Sequence, residues 1–149
     1  MRIERVPVEE IFELRWSVLR EGLPKETAVY PEDAPADTFH IAAYDADDRV
    51  AGCVTFFPEE FEGAPGVPAY RFRGMASAPD VRGQGYGAAV LKAGLAEVAA
   101  RGGKLAWCNG RTSARGFYEH LGFEAVGEEF TTPPTHVPHY VFTYQVPQA

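Results

Sequence analysis

Apolar and charged residues alternate over Arg2–Val6, Ile3 and Val6 against Arg2, Glu4 and Arg5, and this period of two predicts a short strand. From Pro7 the period lengthens. Ile11, Leu14 and Val18 fall on one helical face with Phe12, Trp16 and Leu19 beside them. Pro7 suits the first helical position and Glu9 and Glu10 the first turn, while Gly22 followed by Pro24 ends the helix. Residues 24–37 hold three prolines and several acids, so they read as a loop or a broken helix.

Two strands are expected next, at Phe39–Tyr44 and 50–57, with Asp45, Asp47 and Asp48 supplying the turn between them. Residues 59–68, rich in Gly, Pro and Glu, make a second loop. Ala69–Ser77 follows as a strand, Tyr70 and Phe72 on one side, Arg71 and Arg73 on the other. A helix is predicted over 88–100, with Leu91, Leu95 and Val98 as its sheet-facing stripe and Gly102-Gly103 as its stop. Residues 104–108 form another apolar strand. Thr112 or Ser113 is placed to cap a short helix running to about Leu121 and closed by Gly122. Residues 123–130 and 139–146 read as the last two strands, joined by a proline-rich loop. Helices separate the strands only in mid-chain, with hairpin-like pairs on either side. That order predicts a mixed α/β sheet, not a doubly wound parallel one, in one domain spanning 1–149.

Charge and cysteine usage narrow the partners. A formal net charge of −7 disfavours general nucleic-acid binding and tilts toward a cationic partner. Cys53 and Cys108 are too few for a disulfide framework and read as reduced core thiols. No apolar run approaches membrane-spanning length, and charges occupy the N-terminal positions where a signal peptide needs apolar residues. A cytoplasmic protein without a membrane partner is the expectation.

The chemistry concentrates in residues 75–87. A strand end runs into a loop with glycine at alternate positions, Gly83, Gly85 and Gly87, and a helix begins behind it. Glycines let backbone N–H groups approach a ligand closely, and the helix adds unpaired donors and the positive end of its dipole. Together these make a site for a phosphate or pyrophosphate. A P-loop needs Lys and Ser or Thr after its last glycine, whereas Ala88-Ala89 follow here. The dinucleotide fingerprint needs different glycine spacing behind the first strand.

A third pattern does fit. Arg82-Gly83-Gln84-Gly85-Tyr86-Gly87 resembles the acyl-CoA pyrophosphate loop of the GNAT N-acetyltransferase superfamily. Downstream, Asn109, Ala114 and the run Phe117-Tyr118-Glu119-His120-Leu121-Gly122-Phe123 resemble the second signature of that family, with His120 where Lys is usual. The two signatures stand in the family's order and separation. The loop holding Val137-Pro138-His139 is similar to a bacterial subgroup often called ElaA-like. The resemblance implies the acyl-CoA N-acyltransferase fold, a mostly antiparallel sheet of about seven strands with helices on both faces.

It also implies roles. Pantetheine of acetyl-CoA would lie between the strands matching 69–77 and 104–108, hydrogen-bonded by backbone groups of Met75, Ala76 and Ser77. The N–H groups of Gly83, Gln84, Gly85, Tyr86 and Gly87 would hold the pyrophosphate, with charge from Arg82. Asn109 would reach the cosubstrate from the opposite strand, with Ala114 and Phe117 beside it. Tyr118 would be the general acid for the departing sulfur, because a phenol with pKa about 10 stays protonated at neutral pH. The acceptor, a primary amine of a small molecule or a protein, must lose a proton before attack. Candidates for that base are Glu59, Glu60, His139 or water. A non-catalytic acyl-CoA-binding regulator would carry the same loop. The acceptor's identity, the length of the acyl chain and the oligomeric state, a homodimer included, are open at this level.

Other clusters read as structure. Asp45, Asp47 and Asp48 lack the ladder and closing Glu of a calcium loop, and nothing completes a zinc site around His136 and His139. Cys108 beside Trp107 reads as packing, and Arg111 and Arg115 divide evenly between cosubstrate contact and solvated face.

Overall fold

The computed structural model describes residues 1–148. Seven strands form one sheet: β1 (Arg2–Val6), β2 (Phe39–Tyr44), β3 (Val50–Pro58), β4 (Ala69–Ser77), β5 (Leu105–Arg111), β6 (Glu124–Thr131) and β7 (Pro138–Gln145). Their order is β1-β2-β3-β4-β5-β7-β6. β4 and β5 pair parallel, and the β1–β2, β2–β3, β5–β7 and β6–β7 pairs are antiparallel. Three α-helices accompany the sheet, α1 (Val8–Leu19), α2 (Tyr86–Ala100) and α3 (Arg115–His120). The mixed sheet expected from the element order is present, and it is mostly antiparallel, as the family resemblance implies. None of the described helices is long and apolar enough to cross a membrane.

The chain divides into two compact units. Residues 1–57 and 74–96 make the first, and residues 58–73 with the described residues from 97 onward make the second.

In the first unit α1 packs on β2 and β3. Ile11 is fully buried with Ala42, Tyr44, Cys53 and Ala76, and Leu14 and Val18 join from the same helical face, as their spacing predicts. The helix begins one residue after Pro7 and ends at Leu19, with Gly22 in the turn beyond at φ +78°. α2 lies against other positions of β3. A Cβ on Gly94 would come within 2.0 Å of Phe56, so only glycine lets helix and strand approach so closely. Residues 24–37 carry two short 3-10 helices, Lys25–Ala28 and Pro31–Asp33, which is the broken-helix form of the expectation. The aspartates after β2 are engaged in the turn. Asp45 Oδ1 accepts from the amides of Asp47 and Arg49 at 2.9 and 3.0 Å.

In the second unit β5 pairs with β7 from Leu105↔Gln145 to Arg111↔His139. β5 therefore runs three residues beyond the apolar stretch 104–108, because pairing with β7 carries Asn109, Gly110 and Arg111 into the ladder. Cys108, Phe142, Tyr118 and Phe123 are buried there. Neither Thr112 nor Ser113 caps α3. Ala114 holds the cap position without a side-chain bond, and Thr112 Oγ1 donates to Glu129 Oε2 on β6 at 2.8 Å. The 3-10 turn Thr112–Ala114 puts both residues ahead of the cap position. Gly122 does close the helix, at φ +97°.

Candidate active site

The glycine loop lies in the first unit. After Ser77 the chain is tied to β3 by Ala78 N–H donating to the Ala51 carbonyl at 2.8 Å, then makes one 3-10 turn over Pro79–Val81. The Gln84 amide closes on the Val81 carbonyl at 3.2 Å, and Gly83 and Gly85 take φ +82° and +90°. A Cβ at either position would meet nothing within 4 Å. Those two glycines are needed for their backbone angles, not for space. Both, with Arg82 and Gln84, are exposed.

The helix behind the loop starts at Tyr86, two residues earlier than the sequence pattern suggests, so Tyr86 and Gly87 stand in its first turn. The Ala89 amide bonds the Gly85 carbonyl at 3.0 Å, which leaves the preceding amides of that turn without an intrahelical acceptor. No acidic side chain lies in the first turn to oppose an anion. Gly52 on β3 makes room for Tyr86, since a Cβ there would come within 3.1 Å of the tyrosine's own Cβ. Sequence reading missed this glycine, which sits unremarked inside an apolar strand. On the outside, Arg49 bridges Asp45 at 2.9 Å and Asp80 at 2.8 Å, bracing the 3-10 turn that leads into the loop. Both carboxyl groups are held below their usual range by hydrogen bonds from Arg49.

Met75, Ala76 and Ser77 end β4. The register of β4 with β5 runs from Ala69↔Leu105 to Arg71↔Trp107, while β4 continues six residues beyond Arg71 to Ser77. Ala76 is buried on the α1 side, and Met75 and Ser77 are half-buried.

The second signature lies in the second unit. Tyr118 is 5 % exposed. Its ring stacks on Phe142 with centroids 4.5 Å apart and meets Phe117 and Phe123 edge-on at 5.4 and 5.6 Å. Gly110 makes this packing possible, because a Cβ there would lie 2.6 Å from Tyr118 Cε2 and 2.8 Å from the Phe142 ring. The Tyr118 hydroxyl donates to the Cys108 sulfur. Burial, then the neighbouring Cys108, push the phenol well above 10, with Arg111 opposing. Burial also pushes the Cys108 thiol up to about 12. Neither group ionises near neutrality, so the tyrosine keeps its proton. Cys53 is likewise buried, free and pushed up to about 12.

Asn109 is half-buried on β5 opposite Val141, and Ala114 and Phe117 are half-buried at the start of α3. Arg111 is half-buried close enough to influence Tyr118. Arg115 is exposed, paired with Glu119 at 3.3 Å and lying over the Tyr140 ring at 5.1 Å. The candidate bases differ in their surroundings. Glu59 faces the Arg71 guanidinium at 3.3 Å, and its backbone carbonyl accepts the Trp107 indole N–H at 3.0 Å. Glu60 accepts the Gly66 amide at 3.4 Å. His139 donates from Nδ1 to the Val137 carbonyl and stacks on Phe130, an arrangement that puts its basic lone pair on Nε2. Among the described residues no group of three or more His, Cys, Asp or Glu side chains is placed to hold a metal ion.

A strand end leading into left-handed glycines at a helix start, with the second signature on α3, fits one protein class, and residues 8–123 match its profile: the chain belongs to the Acetyltransferase (GNAT) family. It is 30 % identical over 133 residues to an uncharacterized N-acetyltransferase, YitI, of Bacillus subtilis (strain 168), a match covering 89 % of each chain. The fold is shared with a solved aminoglycoside 6'-N-acetyltransferase complexed with coenzyme A, at TM-score 0.77, 17 % identity and coverage of 100 % and 99 %. It is shared equally with Escherichia coli ElaA, at TM-score 0.77, 14 % identity and coverage of 97 % and 99 %.

Proposed function

We propose that this protein transfers an acetyl group from acetyl-CoA to a primary amine by direct attack within a ternary complex, in the cytoplasm. The observation that carries the reading is the pair of left-handed glycines, Gly83 and Gly85, with open space around both, at the start of a helix whose first turn bears no acid. Amides of Gly83 to Gly87 hold the pyrophosphate, and Arg82 adds charge. Backbone groups of Met75, Ala76 and Ser77 bind the pantetheine arm as an added strand would, and Asn109, Ala114 and Phe117 complete the contacts. When bound, acetyl-CoA supplies an activated acyl carbonyl with a thiolate leaving group.

Tyr118 donates the proton that the leaving sulfur needs. Its raised pKa keeps it loaded across the neutral range, and its hydroxyl already faces a sulfur acceptor, Cys108. The amine reaches its neutral form through His139, Glu59, Glu60 or water. Orientation of amine and thioester accounts for much of the rate, an effect worth roughly 7–11 kcal/mol.

The test is release of free CoA from acetyl-CoA across a broad panel of amines, with products identified by mass spectrometry. Binding of acetyl-CoA without turnover on any amine would replace the enzyme with an acyl-CoA-binding regulator. Tyr118→Phe should lower kcat by roughly a hundredfold or more with CoA affinity kept. An unchanged kcat would remove Tyr118 from the mechanism.

A further inference from the structure

One buried cation has no part in the chemistry above. Arg15 on α1 is 0 % exposed. It occupies the inward helical spacing shared with Ile11 and Val18, where an apolar residue would be expected. Its guanidinium forks onto Asp33, Nη1 to Oδ2 at 2.7 Å and Nη2 to Oδ1 at 3.0 Å. Nη1 also donates to the Ala28 carbonyl at 3.0 Å, and Nη2 to Thr55 Oγ1 at 2.6 Å. The plane lies over the Tyr30 ring, 4.0 Å from its centroid. Asp33 and Tyr30 belong to residues 24–37, so one side chain ties that segment to α1 and β3.

The Nε–H is buried and has no acceptor. A helix-borne arginine with four satisfied bonds and one orphan is a costly arrangement. What it faces gives the reason. A Cβ on Gly74 would lie 3.1 Å from that Nε, 3.0 Å from Tyr30 Cε2 and 3.4 Å from the Tyr30 hydroxyl. Gly74 therefore rests directly on the Arg15–Tyr30 surface. It also holds φ +66°, an interruption of the extended strand immediately before Met75. Its carbonyl accepts the Cys53 thiol at 3.6 Å.

We propose that Arg15, with Tyr30 and Asp33, is a positioning group for the acyl-CoA-binding strand end. It sets the left-handed peptide at Gly74, and so the direction in which Met75, Ala76 and Ser77 present their backbone groups. It also binds residues 24–37 to the same point of β4, so that this segment and the strand end move as one. The inference rests on the reading that residues 75–77 hold acyl-CoA. A lysine cannot replace the arginine, because it lacks both the planar fork and the face that stacks on Tyr30.

The experiment measures CoA affinity by calorimetry and KM for acetyl-CoA in Arg15→Lys, Gly74→Ala and Tyr30→Phe, each checked for folding by circular dichroism and melting. Val98→Ala serves as a control destabilised in the core of the second unit. Arg15→Lys and Gly74→Ala should weaken CoA binding about tenfold and raise KM by a similar factor, with kcat changed less, while Val98→Ala melts lower with CoA affinity unchanged. Tyr30→Phe, which keeps the ring, should stay within about twofold of wild type. If Arg15→Lys does not fold, Gly74→Ala decides. Variants that bind CoA as tightly as wild type while melting lower would overturn the proposal and leave Arg15 a structural residue. Wild-type protein that binds no CoA would overturn the acyl-CoA reading itself, a result separable from the first because there the wild type still binds.

Discussion

Replacing Gly85 by valine isolates the loop's backbone geometry from everything else. Gly85 sits at φ +90° with nothing within 4 Å of where a side chain would begin. The substitution therefore meets no neighbour, and its cost is the conformational one. A left-handed L-residue costs about 1–2 kcal/mol, and more when β-branched. A domain with roughly 5–15 kcal/mol of stability survives that. The loop escapes the strain by rotating toward negative φ. That turns the peptide following Gly85, whose carbonyl anchors the Ala89 amide at 3.0 Å. If the loop holds the pyrophosphate as proposed, charge-assisted bonds from two amides are then misdirected, each worth about 2 kcal/mol. Their sum, about 4 kcal/mol, is roughly a thousandfold in Kd for CoA. Gly66→Val is the matched control, since Gly66 has φ +81° and the same open surroundings but lies in the loop before β4. Calorimetric titration with CoA and thermal melting should show similar melting losses in both variants and lost affinity only in Gly85→Val. Unchanged CoA affinity in Gly85→Val would refute the assignment of the pyrophosphate to this loop.

Three other outcomes are expected. Gly94→Ala gains up to about 1 kcal/mol of helix propensity, but its Cβ would press within 2.0 Å of Phe56, itself buried and stacked on Phe39 at 5.2 Å. Overpacking of about 3 kcal/mol wins, and denaturant unfolding should show a net loss of about 2 kcal/mol; a neutral or stabilised variant would contradict it. Burial lowers the His40 pKa below its ordinary 6.5, Arg15 assisting and Asp33 and Glu9 opposing, while Nδ1 bonds Thr55 Oγ1 at 2.8 Å. The unfolded chain then binds the proton more readily, so this contribution is intact above about pH 6.5 and is lost on acidification, by at most about 1.4 kcal/mol per pH unit. Melting across that interval should fall less steeply for His40→Gln, and parallel slopes would disprove the linkage. Gly110→Ala should displace the Tyr118 and Phe142 rings and lower both kcat and melting temperature. A variant with wild-type kcat would show that the position of Tyr118 does not matter to the rate.

Much of the fold was legible because its signals are local. The strands Arg2–Val6, Phe39–Tyr44 and Ala69–Ser77 are found where the local pattern put them, and the α2 stripe Leu91, Leu95 and Val98 is buried. The glycine loop was readable for the same reason, since a left-handed angle requires a particular residue and leaves its mark in the chain. Thr112 was misread because a 3-10 turn over Thr112–Ala114 moves the cap position on to Ala114, and the freed hydroxyl donates to Glu129, distant in sequence. Arg15 was passed over because a charged residue on an apolar helical stripe reads as an exception until its partners at positions 28, 33 and 55 are known.

By itself, then, the sequence determined the element order, the loop's backbone requirement and the family signatures, all of which depend on neighbours within a few residues. The tertiary structure decided what depends on distant partners: the Cys108 sulfur as acceptor for Tyr118, the room Gly110 leaves for that ring, the pairing of Glu59 with Arg71, and the guanidinium beneath Gly74. Burial sets these interactions by removing water as an alternative partner, and burial is a property of the folded chain.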